Sequence, residues 1–161
     1  MPLRSLSKFA LLTVVTLIAA APLRGLLAHD EHATGIYKVR HDGYHALGDA
    51  FKTIRDQVKS DSPNAAAIKS AAQVVNDTSV KQFKWFPAGT GPKPGVKTRA
   101  KAEIWSKPQD FEAAQKLFAN AAAKLNKSAA AGDVAAVRAQ FGDVGKACKN
   151  CHDTFRTPDE D

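Results

Sequence analysis

The run Cys148-Lys149-Asn150-Cys151-His152 lies close to the C-terminus and contains both cysteines of the chain. Two cysteines separated by two residues and followed at once by histidine form the attachment signature of a c-type haem. Each thiol adds to one haem vinyl group, so the thiols must lie about one helical turn apart. The adjacent histidine then lies under the iron as its axial ligand. The sequence therefore predicts one covalent haem c per chain, attached through Cys148 and Cys151 and ligated by His152.

Three other interpretations of the same run are a redox-active cysteine pair, half of a zinc site and a plain disulfide. A structural zinc site needs four ligands, and the chain has no further cysteine. A thioredoxin-like pair opens a helix after a strand, and the flanking sequence has no strand pattern. Haem attachment is the favoured interpretation.

The N-terminus has the pattern of a secretory signal peptide. Arg4 and Lys8 precede an apolar stretch over residues 9–21, and small residues follow at its end. An uncleaved membrane anchor is the alternative, but this stretch is shorter than the roughly 20 residues that a membrane span needs. We predict a signal peptide over residues 1–28, cleaved after Ala21 or Ala28, a single domain over residues 29–161, and a periplasmic location, where covalent haem is loaded.

The charge pattern gives no indication of a nucleic-acid partner. Loss of the leader removes Arg4, Lys8 and Arg24, so the formal net charge falls from +7 to +4. The remaining basic residues alternate with acidic ones and form no patch interleaved with aromatic residues. We expect a mildly basic soluble domain with no membrane span after cleavage.

Apolar residues at steps of three and four predict four helices and no strands. The helices are expected over residues 36–59, 64–79, 108–131 and 133–155. Small residues dominate the stripe of the second helix, which would let a neighbour approach closely in a helix–helix or dimer contact. The inward stripe of the third helix is predicted to consist of Phe111, Ala114, Leu117, Phe118, Ala121 and Leu125. Both thiols fall on the core stripe of the fourth helix, which points the haem inward.

Two residues on the apolar stripe of the first helix are candidate haem contacts. Arg40 must be paired or desolvated there at a cost of several kcal/mol, and a haem propionate is a suitable partner. The alternative is an arginine that snorkels to the helix end. Tyr44, one turn later, either covers the open face of the iron or fills the core. In the long connection that follows the second helix, Trp85 and Phe86 either pack against the flat cofactor or anchor the connection in the core.

The chain resembles the cytochromes c′, the class II c-type cytochromes. The likeness covers essentially the whole mature chain and is strongest over residues 141–156 and 102–106, with the Arg40 stretch also matching. It implies an all-α, antiparallel four-helix bundle with haem c bound covalently near the C-terminus. It also implies a homodimer formed through the first two helices.

The resemblance also assigns roles to individual residues. It implies thioether bonds at Cys148 and Cys151, iron ligation by His152, and a basic residue near the proximal face at Arg156. Arg40 matches an arginine that contacts a propionate, Tyr44 the position over the open iron face, and Trp85 an aromatic residue near the haem edge. The sequence departs from the family pattern at His41, where glutamine is usual, and at Ala88, where an aromatic residue is usual.

The sequence leaves two classes of function open. A six-coordinate relative would use methionine at the Tyr44 position, and the only methionine here is Met1. His41 and His45 point at the iron less well than Tyr44, and neutral tyrosine is a poor iron ligand. We therefore expect a five-coordinate haem that binds nitric oxide and carbon monoxide, and the resemblance implies a role in nitric oxide scavenging or tolerance. The alternative is a periplasmic electron carrier with a redox partner protein; an enzymatic activity finds little support.

Overall fold

Four long helices connected in sequence make up most of the computed structural model, which describes residues 35–158. They are α1 (Gly35–Lys59), α2 (Ala65–Lys81), α4 (Pro108–Ala130) and α5 (Val134–Phe155); a four-residue helix, α3 (Glu103–Ser106), precedes α4. The predicted signal peptide and residues 29–34 lie outside the described residues. The four predicted helices are confirmed, with ends that differ by at most two residues, whereas α3 was not predicted.

Local sequence explains where these helices begin and end. The Asn64 side chain accepts a hydrogen bond from the Ala67 amide, and the Asp133 side chain accepts one from the Ala136 amide, so α2 and α5 each begin at a capping residue. Pro108 occupies the first position of α4, where its missing amide hydrogen costs nothing. Gly132, with φ +74°, supplies the left-handed residue between α4 and α5.

Neighbouring helices in the bundle run antiparallel. The side chain of Asn126, late in α4, is hydrogen-bonded to that of Gln73 in α2. The side chain of Gln115, early in α4, is hydrogen-bonded to the backbone of Gln82 just after α2. The two helices therefore run in opposite directions. The stacked rings of Phe51 and Phe141, 4.2 Å apart between centroids, join α1 to α5. The architecture therefore confirms the expected antiparallel four-helix bundle.

The bundle contains two apolar clusters. The main cluster draws on all four long helices, and its most completely buried side chains include Ile54, Ile68, Val75, Leu125 and Val144. The second cluster lies near the C-terminal end of α5 and contains Ile104, Phe111, Ala114 and Phe155, with Phe86, Ala100, Trp105 and Cys151 packed against it. This second cluster includes aromatic residues of the long connection between α2 and α4.

The prediction that Leu117 lies in the core is wrong. Leu117 is 55% exposed, whereas Gln115 is 5% exposed and faces the core. The buried positions of α4 include 111, 115, 118, 122, 125 and 129, a sequence of three- and four-residue steps that excludes position 117. A polar residue occupies the inward position because its amide donates a hydrogen bond to the Gln82 carbonyl oxygen at 3.2 Å.

The small residues of α2 also face inward. Ala71, Ala72 and Ser79 are buried against the other helices of the same chain. The close helix–helix contact predicted from them is therefore an intrachain one. Among the helices of residues 35–158, none has the length and apolar character needed to cross a membrane.

Candidate haem site

The C-terminal half of α5 presents the two thiols between the two apolar clusters. Cys148 packs against the main cluster and Cys151 against the second. Both cysteines are partly buried and neither forms a disulfide. The one-turn spacing of the helix places both side chains on its inward face, as the sequence predicted. His152, the next residue, is exposed.

The surroundings of the thiols disfavour a redox pair and a zinc site. Burial raises the pKa of Cys148 and of Cys151 to about 11. Redox-active cysteines act as thiolates with a lowered pKa. No group of three histidine, cysteine or acidic side chains suited to a metal ion occurs within residues 35–158. Two neutral thiols on the inward face, followed by a histidine, fit attachment of a haem.

Arg40 is buried, and its side chain forms several hydrogen bonds to the long connection. It is 6% exposed. Its Nε donates to the Trp85 carbonyl oxygen at 3.0 Å, Nη1 and Nη2 each donate to the Thr90 carbonyl oxygen at 3.2 Å, and Nη2 also donates to Thr90 Oγ1 at 2.8 Å. The alternative of a snorkelling arginine is therefore wrong. These bonds use four of the five guanidinium N–H groups; the propionate contact stays a prediction.

Tyr44 lies one turn after Arg40 and close to the attachment residues. Its ring meets the Trp85 ring edge-on, with 5.1 Å between centroids, and its hydroxyl donates to Gln82 Oε1 at 3.0 Å. The pKa of Tyr44 is raised, first by burial and then by its proximity to Cys151 and Cys148, while Arg40 opposes the shift. The side chain is therefore a neutral phenol.

Trp85 and Phe86 connect Tyr44 to the second apolar cluster. Trp85 is 7% exposed. The Phe86 ring lies under the Arg40 guanidinium at 4.3 Å and meets the Phe111 ring edge-on at 4.9 Å. The structure thus brings Arg40, Tyr44, Trp85 and Phe86 together on the side of α5 that carries the thiols.

Trp85 reaches this position because a glycine of α1 leaves room for it. A Cβ added at Gly43 would lie 2.6 Å from Trp85 Cζ2, so Gly43→Ala is expected to destabilise the holoprotein by about 1–3 kcal/mol. The same atom at Gly48 of α1 would meet nothing within 4 Å, and Gly48→Ala is expected to stabilise by about 0.5–1 kcal/mol. Urea titration measures the free energy of unfolding of both variants. Equal stability of the two variants would contradict the close packing of Trp85 on α1.

His152 borders an open cavity of about 320 Å³ near the C-terminal end of α5. The cavity is lined by Arg99, Lys101, His152, Asp153, Arg156, Thr157 and Pro158. Partial burial lowers the pKa of His152, and the positive charges of Arg156 and Arg99 lower it further, against the effect of Asp153. A lowered pKa favours the neutral imidazole, which is the form that ligates metals.

The long connection is fixed at the end of α5 by backbone hydrogen bonds. The Lys101 amide donates to the Phe155 carbonyl oxygen at 3.0 Å, and the Thr157 amide donates to the Arg99 carbonyl oxygen at 2.9 Å. Arg156, the predicted proximal residue, pairs with Ala100 in an isolated antiparallel bridge. Arg156 lies near His152, with which it lines the same cavity.

Sequence reasoning missed Gln82, Thr90, Arg99 and Lys101. A signal for Gln82 exists, because Val75, Ser79 and Gln82 continue the buried stripe of α2 at steps of four and three. No periodic signal identifies the other three, which lie in irregular chain. Each is brought to the site only by the path of the connection.

Comparison with known proteins agrees with this geometry. The family model described as Cytochrome C' matches residues 36–156. The cytochrome c' of Alcaligenes xylosoxydans xylosoxydans is 36% identical over 120 residues, covering 74% of this chain and 91% of that protein.

Solved structures give the same result. A cytochrome c' with an unusual ligand-controlled dimer dissociation superimposes with a TM-score of 0.71 at 32% identity, covering 76% of this chain and 95% of the other. The nitric oxide complex of a mutant of cytochrome c prime from Alcaligenes xylosoxidans superimposes with a TM-score of 0.68 at 34% identity. The match covers 76% of this chain and 94% of the other. The chain therefore belongs to the cytochrome c′ family, whose haem c is bound covalently, here through Cys148 and Cys151.

Proposed function

We propose that this chain is a periplasmic gas-binding cytochrome c′ that takes up nitric oxide, and carbon monoxide more weakly, in nitric oxide scavenging or tolerance. His152 would ligate the iron of the haem c attached to Cys148 and Cys151, and that iron would supply the binding position for a small gaseous ligand. In this proposal the protein binds the gas and does not act as an enzyme.

The observation that carries the proposal is the set of side chains around Tyr44. His41 and His45 are both exposed, and their rings contact each other with 4.2 Å between centroids. They therefore lie on the outer face of α1, away from buried Arg40 and from Tyr44. Met1 is the only methionine of the sequence, and Tyr44 is a neutral phenol with a raised pKa. This supports an iron with a single protein ligand.

The residues around the proposed ligand position are mostly apolar or aromatic. Trp85 and Phe86 contact Tyr44, while Leu47 and Phe51 pack with Cys148 against the main cluster. Such surroundings exclude water and offer few hydrogen bonds. Bound dioxygen gains from a hydrogen-bond donor, whereas nitric oxide binds ferrous haem strongly without one. The surroundings therefore favour nitric oxide over dioxygen.

Similarity to relatives supports the ligand and the assembly. A mutant of one relative has been solved as a nitric oxide complex, and another relative shows ligand-controlled dimer dissociation. We propose a homodimer for this chain on that basis. The periplasmic location rests on the signal-peptide pattern of residues 1–28, which precede the described residues.

Titration of the reduced holoprotein with each gas tests the proposal. We expect a tight nitric oxide complex, a weaker carbon monoxide complex and no stable dioxygen complex in the visible absorption spectrum. A stable dioxygen complex, or a protein that binds none of the three gases, would overturn it.

Electron transfer to a redox partner protein is the second candidate function. The cavity beside His152 is bordered by Arg99, Lys101 and Arg156, with Asp153 as the acidic residue among them. A basic rim of this kind suits an acidic partner, and attraction of that kind weakens as salt is added. Stopped-flow reoxidation by periplasmic electron acceptors tests this alternative, and rates far below physiological turnover would eliminate it.

A further inference from the structure

The hydroxyl group of Tyr44 has a fixed partner inside the protein. Tyrosine carries one O–H hydrogen. That hydrogen is directed to Gln82 Oε1, with 3.0 Å between the oxygens. The phenol oxygen consequently keeps only lone pairs for any other neighbour.

The acceptor is itself held in place. Gln82 is 3% exposed and follows the last residue of α2. Its side-chain Nε2 donates to the Ser79 carbonyl oxygen at 3.3 Å. Movement of the Gln82 side-chain amide away from Tyr44 would break this buried hydrogen bond, which is costly where water cannot replace it.

Other neighbours of Tyr44 include aromatic rings and a cation. Its ring contacts Trp85 and Phe86, with 5.1 Å and 6.3 Å between centroids. The nearby Arg40 guanidinium carries hydrogen-bond donors only. The hydroxyl hydrogen is donated to Gln82, so it is not donated at the same time toward the cysteine-bearing face of α5.

We propose that Gln82 is a positioning residue for ligand discrimination: it accepts the single hydroxyl hydrogen of Tyr44, so that Tyr44 donates no hydrogen bond to a bound gas. The inference rests on the proposed function, in which the gas lies beside Tyr44. Because dioxygen depends on such a donor more than nitric oxide does, Gln82 increases the preference for nitric oxide.

The carbon–oxygen stretching frequency of the carbon monoxide complex tests this directly. A hydrogen bond donated to bound carbon monoxide draws electron density onto its oxygen and lowers that frequency. Infrared spectra of the reduced holoprotein are compared for wild type, Tyr44→Phe, Gln82→Leu and the double variant. We expect the same frequency for wild type and Tyr44→Phe, a lower one for Gln82→Leu, and return of the double variant to the Tyr44→Phe value.

Gln115→Leu is the matched control, because Gln115 is a buried glutamine that bonds the backbone of Gln82 and not the Tyr44 hydroxyl. It is expected to leave the frequency unchanged, which separates the proposed role from general loss of packing. Gln82→Asn shortens the side chain by one methylene and replaces Gln82→Leu if that variant yields no folded holoprotein.

Three outcomes would overturn the inference. A wild-type frequency lower than that of Tyr44→Phe would mean that the hydroxyl already donates to the ligand. A Gln82→Leu frequency equal to wild type would mean that Gln82 does not restrain the hydroxyl. A wild-type protein that forms no carbon monoxide complex would overturn the proposed function and this inference with it, so the two failures are distinguishable.

Discussion

Replacement of both Cys148 and Cys151 with alanine is expected to abolish covalent haem. Each thioether needs one thiol, and the sequence contains no other cysteine that could substitute. The purified protein should then have the mass of the polypeptide alone in intact mass spectrometry. It should also give no haem signal after denaturing electrophoresis, whereas wild type gains the mass of one haem.

Asn150→Ala is the control for this experiment. Asn150 lies between the two cysteines on the exposed side of α5, so its replacement should preserve the haem mass. Retention of covalent haem by the double alanine variant would contradict the assignment of the attachment residues.

The second large effect is expected at Arg40. Arg40→Met removes the guanidinium that satisfies the carbonyl oxygens of Trp85 and Thr90, and both acceptors lie where the connection packs on α1. Loss of a buried hydrogen-bonding cation costs about 2–5 kcal/mol. We expect a decrease of that size in the free energy of unfolding of the holoprotein, measured by urea titration.

Arg55→Met provides a matched comparison on the same helix. The Arg55 side chain is 46% exposed and pairs with Asp56 on the surface, and exposed pairs contribute about 0–1 kcal/mol. A loss of stability in Arg40→Met no larger than in Arg55→Met would show that the bonds to the connection do not stabilise the fold.

Hydrophobic periodicity was sufficient for the bundle because the long helices each bury one continuous stripe. The stripe of α5 carries Cys148 and Cys151, so the inward direction of the thiols followed from the same pattern. Periodicity could not choose between Leu117 and Gln115. The choice depends on a rotation of α4 about its axis by less than one residue, and on the hydrogen bond from Gln115 to the Gln82 carbonyl oxygen. Periodicity also gave no indication of α3, whose four residues are too few to show a period.

The partners of the candidate site could be predicted only in part. Arg40 was identified because a charge on an apolar stripe is unusual, but its actual acceptors belong to a connection rich in glycine and proline whose path no pattern specifies. The bond from Tyr44 to Gln82 joins residues 38 positions apart through side chains alone. Contacts of this kind depend on how the helices pack and are not encoded in the periodicity of either one.

The number of axial ligands on the haem iron tests the central claim most directly. Electron paramagnetic resonance of the ferric holoprotein, read with the absorption spectrum of the ferrous form before any gas is added, measures it. An iron held by His152 alone predicts a high-spin, five-coordinate spectrum in both oxidation states. A low-spin, six-coordinate spectrum would show that a side chain already occupies the position assigned to nitric oxide, and would contradict the account.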